Sequence, residues 1–398
     1  MKSTDVDPFS DQVLTDPHAF HEDLREAGPV VLLRHYDVFA LARYEHVHAA
    51  LNDWETFQSG AGVGLSDFRR EKPWRPPSLL LESDPPAHDA PRAVLSRLLR
   101  SRALGDLPRQ WEVAADDLVD GVLNRSDEGV VDAIPALAEA FPLRVFPDAV
   151  GIGDAGRENL LPYGDLLFNA FGPRNHLFEK RLPQMGELSG WVNAQCTREA
   201  LRPDAIGAAI WAAADAGEIS AEQAPLVVRS LLSAGVDTTV NALGGLLYAL
   251  STHPEEWALL RSRPELVGSA FEEAVRWESP VQTFFRTTTR DVDVSADDGA
   301  TTIPEGRKIL MFLGAANRDP RRWPDPDRFD VTRNAAAHVG FGMGIHHCVG
   351  QHVARAETVA LVRALLRRVE RIEPAGAPLR RLNNTMRAFA SLPLRFQT

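Results

Sequence analysis

Cysteine is nearly absent from this chain. Two residues, Cys196 and Cys348, in 398 cannot form a disulfide framework, and they cannot supply the four thiolates of an iron–sulfur cluster. Positive charge is also in deficit. Lys and Arg number 43 against 55 Asp and Glu, a net charge of −12, which argues against non-specific binding to DNA or an anionic membrane. Long apolar runs are missing too: the longest, at about eight to ten residues, are too short to span a bilayer. The N-terminus, MKSTDVDPFSDQVLTDP, is polar and broken by proline, so no secretory signal is expected there. A cytoplasmic protein outside the membrane is expected. The Arg excess near the C-terminus (Arg355, Arg363, Arg367, Arg368, Arg371) reads either as a patch for an acidic protein or as a solvated helix face.

What is present is ordinary globular composition, 44% hydrophobic and 25% charged. VVLLRHYDVFALARY (30–44) reads as a hairpin. The prolines of EKPWRPPSLLLESDPPAH (71–88) keep it out of regular helix. From 90 to 280 the pattern is mostly helical. Its longest run, 221–256, opens with Ser220 and Gln223 in capping-box spacing and stops near His253–Pro254. It is apolar nearly all round and so should be buried. Short β-prone pieces follow after 280 (QTFFRTTTRDVDV, KILMFLGAANRD), then a Pro-rich meander, a last helix at about 349–369 and a β-prone tail. No repeat or linker interrupts the chain. The expected fold is mostly α with small β-sheets (α+β), as a single domain over 1–398.

The chemistry concentrates in FGMGIHHCVG (341–350). Zinc needs about four converging ligands, and the consecutive His346, His347 and Cys348 do not converge. A thiolate on haem iron needs only Cys348. Gly342, Gly344 and Gly350 permit tight turns and close approach to a flat ring, and a helix start just after Cys348 favours the thiolate. A buried inert cysteine is the bland alternative.

The spacing Phe341-x-x-Gly344-x-x-x-Cys348-x-Gly350 resembles the haem-ligand loop of the cytochrome P450 family. Glu273-Ala274-Val275-Arg276 and Pro326-Asp327-Arg328-Phe329 resemble the Glu–Arg–Arg network (Glu273, Arg276, Arg328) that buttresses that loop. Ala234-Gly235-Val236-Asp237-Thr238-Thr239 resembles its oxygen-activation segment, and Asp84-Pro85-Pro86-Ala87-His88-x-x-x-Arg92 the segment reaching the haem propionates. The resemblance spans essentially the whole chain. It implies the P450 fold, with haem b between a long central helix and the loop of Cys348, the iron ligand. It also implies His346, His88, Arg92 and Arg286 as propionate partners, four donors around two carboxylates. His347 is expected to be exposed or to pack only.

The reaction needs protons, which Asp237 could relay and Thr238 could position through water. Electrons must come from outside, because the chain has no flavin or cluster motif. The resemblance implies a 2Fe–2S ferredoxin and its NADH-dependent reductase, O2 as co-substrate and action as a monomer. The ferredoxin is expected to dock near Arg97, Arg100 and Arg102.

Ser230, Ser233 or Ala234, Asp237 and Thr238 share one helix face. Ser230 and Thr238 lie about 12 Å apart along a continuous axis, so one end of a pocket would be polar, with Arg229 beside it. Arg75 and Ser78 offer a second Arg and Ser, and Phe168, Phe171 and Phe284 offer aromatic walls. That suits a planar aromatic carboxylate, although buried arginines often pair with propionates or acids, and phenylalanines at this spacing are usually core.

The stretches GVGLSDFRREKPWRPPSLLLESDPPAH, LLFNAFGP, VVRSLLSAGVDTTVN, ESPVQTFFRTTTR and LNNTMRAFASLP closely resemble bacterial P450s that oxidise para-substituted benzoates, for example by O-demethylation of 4-methoxybenzoate. That resemblance implies that Arg75, Ser78, Arg229 and Ser230 meet the carboxylate. Leu81, Phe168, Phe171, Ser233, Ala234, Val281 and Phe284 would line the pocket. Leu382 departs from the aromatic residue of relatives and leaves the preferred para substituent open. Another small acid of cinnamate type, a neutral terpene-like compound, or a thiolate-haem sensor are the rival readings.

Overall fold

The computed structural model describes residues 2–126, 128–296 and 299–398. The expected hairpin forms as Val31–Leu33 and Val38–Leu41, with Leu32 opposite Phe39. It joins a six-stranded sheet whose spatial order is Lys2–Thr4, Val31–Leu33, Val38–Leu41, Lys308–Phe312, Thr283–Thr288, Phe57–Gln58. Lys308–Phe312, buried throughout, pairs parallel with the hairpin and antiparallel with Thr283–Thr288. Both faces of this strand are covered, so it reads as a solid apolar run rather than an alternation. A larger helical core holds Val227, Leu231, Leu243, Leu247 and Leu250 of the central run together with Trp257, Phe271 and Leu361.

The central run is not one helix. It divides into Gln223–Ala234 and Asp237–Thr252, where one helix over 221–256 was expected. The capping box forms: Ser220 N–H donates to Gln223 Oε1 at 2.8 Å, and Gln223 N–H to Ser220 Oγ at 3.3 Å. The break at Gly235–Val236 has a packing cause. A Cβ on Gly235 would meet the Phe146 ring at 2.2 Å, so the backbone is pressed against that ring. Thr238 Oγ1 donates to Ala234 O at 2.6 Å and Thr239 Oγ1 to Gly235 O at 3.2 Å. These hydroxyls occupy carbonyls at the break, and such back-bonding bends helices. Ser230 and Thr238 therefore do not share a continuous axis.

The Glu–Arg–Arg network forms with a different third member. Glu273 and Arg276, on helix Val267–Glu278, have no exposed side-chain surface and pair at 2.6 and 2.7 Å. Glu273 Oε1 also accepts from Arg333 Nε and from Asp330 N–H, each at 3.1 Å. Arg328, the expected partner, contributes only its backbone carbonyl, which accepts from Arg276 at 3.2 Å. Its side chain is 65% exposed and 3.9 Å from Asp330. The meander turns at Asp325, whose φ is 48°, and Arg333 folds back over it to donate to Pro324 O and Asp325 O. Arg276 also donates to Asn317 O at 2.9 Å, and Asn317 Oδ1 accepts from Val339 N–H at 2.8 Å, at the foot of the Cys348 loop.

The last helix is Gln351–Leu366. The arginines of this helix and of the two residues after it are neutralised within the chain: Arg355 by Glu272, Arg363 by Glu112, Arg367 by Asp116, and Arg368 by Asp116 and Asp120. The first pair ties it to helix Val267–Glu278 and the others to helix Leu107–Arg125.

Removing one partner of a buried pair is costly because the other is left unpaired. Arg276→Ala should therefore cost about 3–5 kcal/mol and Arg333→Ala about 1.5–3 kcal/mol. Arg328→Ala should fall within about 0.5 kcal/mol of the unsubstituted chain. Denaturant unfolding of the three variants measures the order; a larger loss at Arg328 than at Arg333 would restore the sequence-based assignment.

Candidate active site

The Cys348 loop is held from both sides. Cys348 N–H donates to Phe341 O at 2.8 Å, and Gly342 and Gly344 sit at φ 66° and 63°. Gly344 could not carry a side chain even in that conformation, because a Cβ would lie 2.7 Å from Leu51 O. A Cβ on Gly350 would stand 3.9 Å from the Cys348 sulfur, an ordinary contact. Burial pushes the thiol pKa up, while the Gly350 and Gln351 N–H groups and the guanidiniums of Arg92 and Arg355 pull it back toward the thiolate. The other cysteine, Cys196, is buried, donates to Val192 O and has its pKa pushed up to about 12 by burial. Phe341 packs near Phe271, with the Arg355 guanidinium 5.1 Å from its ring centre.

Above this loop lies a set of donors short of acceptors. His88 is buried, and neither of its ring nitrogens makes a hydrogen bond, Nδ1 standing 3.6 Å from Asp89 Oδ1. His346 Nδ1–H donates to Leu80 O at 2.9 Å, and its buried Nε2 makes no hydrogen bond and stands 3.5 Å from Asp84 Oδ1. The two rings stand 4.9 Å apart. Arg286 is buried, donates to its neighbour Phe285 O, and has its pKa lowered to about 10 by burial. Arg92 donates to His347 O at 2.6 Å. Buried polar groups normally find partners, and a donor set this poorly satisfied fits the two carboxylates of a haem. The central helices agree. Ala234 is exposed and Ser233 and Thr238 partly so, in a run whose other residues are mostly buried. His347 is half-buried and contacts Gln351 at 3.0 Å, so it packs rather than joins this set.

Asp237 is buried. Its Oδ1 accepts from Arg381 at 2.7 Å, and its Oδ2 has no partner. Burial pushes its carboxyl pKa up and Arg381 opposes this. Arg381 ends the strand Leu379–Arg381 in the remote C-terminal region and has no local sequence signal.

Five of the expected lining residues come together, while Ser233 and Ala234 lie outside their cluster. Phe168, Phe171, Leu81, Val281 and Phe284 form one cluster with Val63 and Met386, and Phe171 stands 5.7 Å from Phe168 and 5.8 Å from Phe284. Val63 and Met386 were missed; Met386 is brought in by a bridge to Val281. Leu382 is half-buried outside this cluster. Lys308 shapes the Val63 wall: Nζ donates to Ala61 O at 3.1 Å and Gly62 O at 2.8 Å. Its pKa is lowered to about 7, chiefly by burial.

The polar residues gather at another end. Ser78 and Ser230 hydroxyls are 3.5 Å apart. Arg229 is buried and donates to Pro76 O at 2.7 Å. Arg75 pairs with Glu82 at 2.9 Å, a carboxylate that the sequence did not single out. Ser233 Oγ donates to Arg229 O at 2.7 Å, turning back into its own helix. On the surface, Arg97 is paired with Glu218, while Arg100 and Arg102 are exposed. Ser101, between them, contacts His352 at 3.0 Å, which sets this segment beside the helix that follows Cys348.

A cysteine loop braced by a buried Glu–Arg pair, a bent central helix with Asp and Thr at the bend, and unsatisfied donors over the loop define a haem-thiolate oxygenase. A cytochrome P450 family profile matches residues 260–398, and the chain belongs to the cytochrome P450 family. It is 55% identical over 389 residues to cytochrome P450 CYP199A2 of Rhodopseudomonas palustris, covering 98% of this chain and 93% of that one. It is 33% identical to cytochrome P450 107B1 of Saccharopolyspora erythraea, over 98% of each. The solved structure of P450 CREJ in complex with (4-ethylphenyl) dihydrogen phosphate has a TM-score of 0.87 at 23% identity, over 98% of this chain and 99% of that one, which shows the fold alone. The family uses haem with a cysteine thiolate ligand, O2 and redox partners.

Two outcomes follow for the groups missed in the sequence. Arg381→Ala leaves Asp237 buried and unpaired and should cost about 3 kcal/mol in denaturant unfolding; a loss under about 1 kcal/mol would show that the pair is dispensable. Lys308 binds its proton more weakly when folded than the ordinary lysine value of 10.5. Between about 7 and 10.5 the unfolded chain therefore holds more protons, and stability rises with pH. Lys308→Met should flatten that rise; an unchanged slope between the two proteins would show that the lysine stays charged.

Proposed function

We propose that this P450 monooxygenase oxidises a small para-substituted aromatic carboxylic acid at its para substituent, with O-demethylation of 4-methoxybenzoate as the example. The observation that carries the reading is the separation of the candidate residues into two groups of different chemistry. Five apolar residues, Leu81, Phe168, Phe171, Val281 and Phe284, share one cluster. Arg75 and Ser78, from the 75–82 turn, meet Arg229 and Ser230, from helix Gln223–Ala234, with Ser78 against Ser230 and Arg229 on the Pro76 carbonyl. A carboxylate held by the second group presents its para end away from it, so regioselectivity comes from positioning. The five stretches shared with benzoate-oxidising P450s support the same reading.

Cys348 is the proposed iron ligand, and His88, Arg92, Arg286 and His346 the proposed propionate partners. When bound, the haem supplies O2 activation and insertion of one oxygen atom into a C–H bond. This chain's residues do the rest. The aromatic wall excludes water from the ring. Thr238 positions a water, and Asp237 moves protons toward it, released from Arg381 as it does so. With 4-methoxybenzoate, two electrons and two protons accompany O2. One oxygen atom enters the methyl group and the other leaves as water; the hemiacetal collapses to 4-hydroxybenzoate and formaldehyde. The electrons come from a 2Fe–2S ferredoxin and its NADH-dependent reductase, docking over Arg100 and Arg102. The enzyme works as a single domain over 1–398, as a cytoplasmic monomer; no described helix is long and apolar enough to cross a membrane.

Optical titration of the ferric protein with 4-methoxybenzoate and with its methyl ester tests the substrate. The acid should give a low-to-high-spin shift and the ester little. Ser78→Ala should raise the Kd of the acid about tenfold and that of the ester by under about twofold. Equal binding of acid and ester would favour a neutral substrate.

A further inference from the structure

Glu82 stands where a substrate carboxylate is expected. Its side chain is 3% exposed, and its Oε2 lies 2.9 Å from Arg75 Nη1. The same oxygen accepts from Ser78 N–H at 2.7 Å. Arg75 and Ser78 are two of the four groups assigned to the acid. The third, Arg229, is also buried and is held by the carbonyls of Pro76 and Pro77. It lies close enough to Arg75 for the two cations to repel, and Glu82 is one of the charges that oppose this. Among its buried side chains this end thus holds two cations and one anion. A cleft walled by Arg75, Glu82 and Phe171 adjoins it, with the exposed Glu71, Lys72 and Arg174 also on its lining.

We propose that Glu82 determines specificity by charge: it fixes the polar end at one net positive charge, so that the site takes an aromatic monoanion and rejects an aromatic dianion. The proposal rests on the carboxylate reading above. Buried charge is tolerated when it is balanced. A monocarboxylate balances Arg75, Arg229 and Glu82 to zero. A dianion leaves one uncompensated negative charge beside Glu82, in a setting where solvent screens little. Without Glu82 the balance reverses and two cations match a dianion. A carboxylate serving only to brace the 75–82 turn would act on both ligands alike.

The test is calorimetric titration of the haem-loaded full chain with 4-methoxybenzoate and with 4-methoxyphenyl phosphate, at a pH of about 8 where the phosphate is a dianion. In Glu82→Gln the ratio of dianion to monoanion affinity should rise on the order of tenfold or more. In Glu82→Asp, which keeps the charge, it should stay at the wild-type value. Equal weakening of both ligands in Glu82→Gln, or Glu82→Asp behaving like Glu82→Gln, overturns the proposal. Should Glu82→Gln fail to fold, Arg229→Gln is compared with Glu82→Gln/Arg229→Gln. The double variant, restored to one net positive charge, should bind the monoanion about tenfold more tightly than Arg229→Gln, and equal or weaker binding overturns the proposal. In the wild type, acid and methyl ester binding alike would sink the carboxylate reading. Acid preferred over ester with an unmoved dianion ratio sinks the role of Glu82 alone.

Discussion

The buried pair of Glu273 and Arg276 is the interaction on which the rest of this structure depends. Neither side chain has exposed surface, so each charge would be prohibitively placed without the other. Their remaining hydrogen-bonding capacity goes to the meander and the loop: Arg276 to Asn317, Pro326 and Arg328 carbonyls, Glu273 to Asp330 N–H and Arg333. Asn317 passes the order on to Val339, two residues before Phe341, whose carbonyl receives the Cys348 N–H. The position of the thiol is set by a chain of directional bonds that begins at an ion pair on another helix.

Local signals carried much of this into the sequence. The capping box at Ser220, the hairpin around 30–44 and the glycines of the cysteine loop are written within a few residues of where they act. Residues supplied from a distance are not. Arg328 and Arg333 are both arginines of one proline-rich meander, and only the turn at Asp325 decides which reaches Glu273. Arg381, Lys308, Met386 and Glu82 lie in segments whose pattern is set by strand or loop, and their partners are elsewhere in the chain. The helix break had a signal that periodicity overrode: Gly235 sits mid-run, and glycine there costs helix stability unless something needs its missing side chain. Phe146 does.

Charge is handled differently at the surface and inside. Arg363, Arg367 and Arg368 meet the acids of Leu107–Arg125 in partly solvated pairs, each worth little alone. Inside, Arg75 pairs with Glu82 and Arg381 with Asp237 where solvent screens little. The same residue types make weak surface ties in one place and strongly coupled pairs in the other, and burial makes the difference.

One close approach links the apolar cluster to the buried acid. Gly164 lies so near Asp237 that a Cβ there would come within 2.8 Å of the aspartate's own Cβ. The helix bearing Gly164, Leu160–Asn169, also carries Phe168. Asn383 and Thr385 fasten that helix to the segment of Arg381 and Met386, through Asp165 and the Phe168 carbonyl. Phe168, Asp237 and Arg381 thus belong to one mechanical body. Any shift of Phe168 is therefore passed to the Asp237–Arg381 pair as well, with Gly164 as the fulcrum of the lever that joins them.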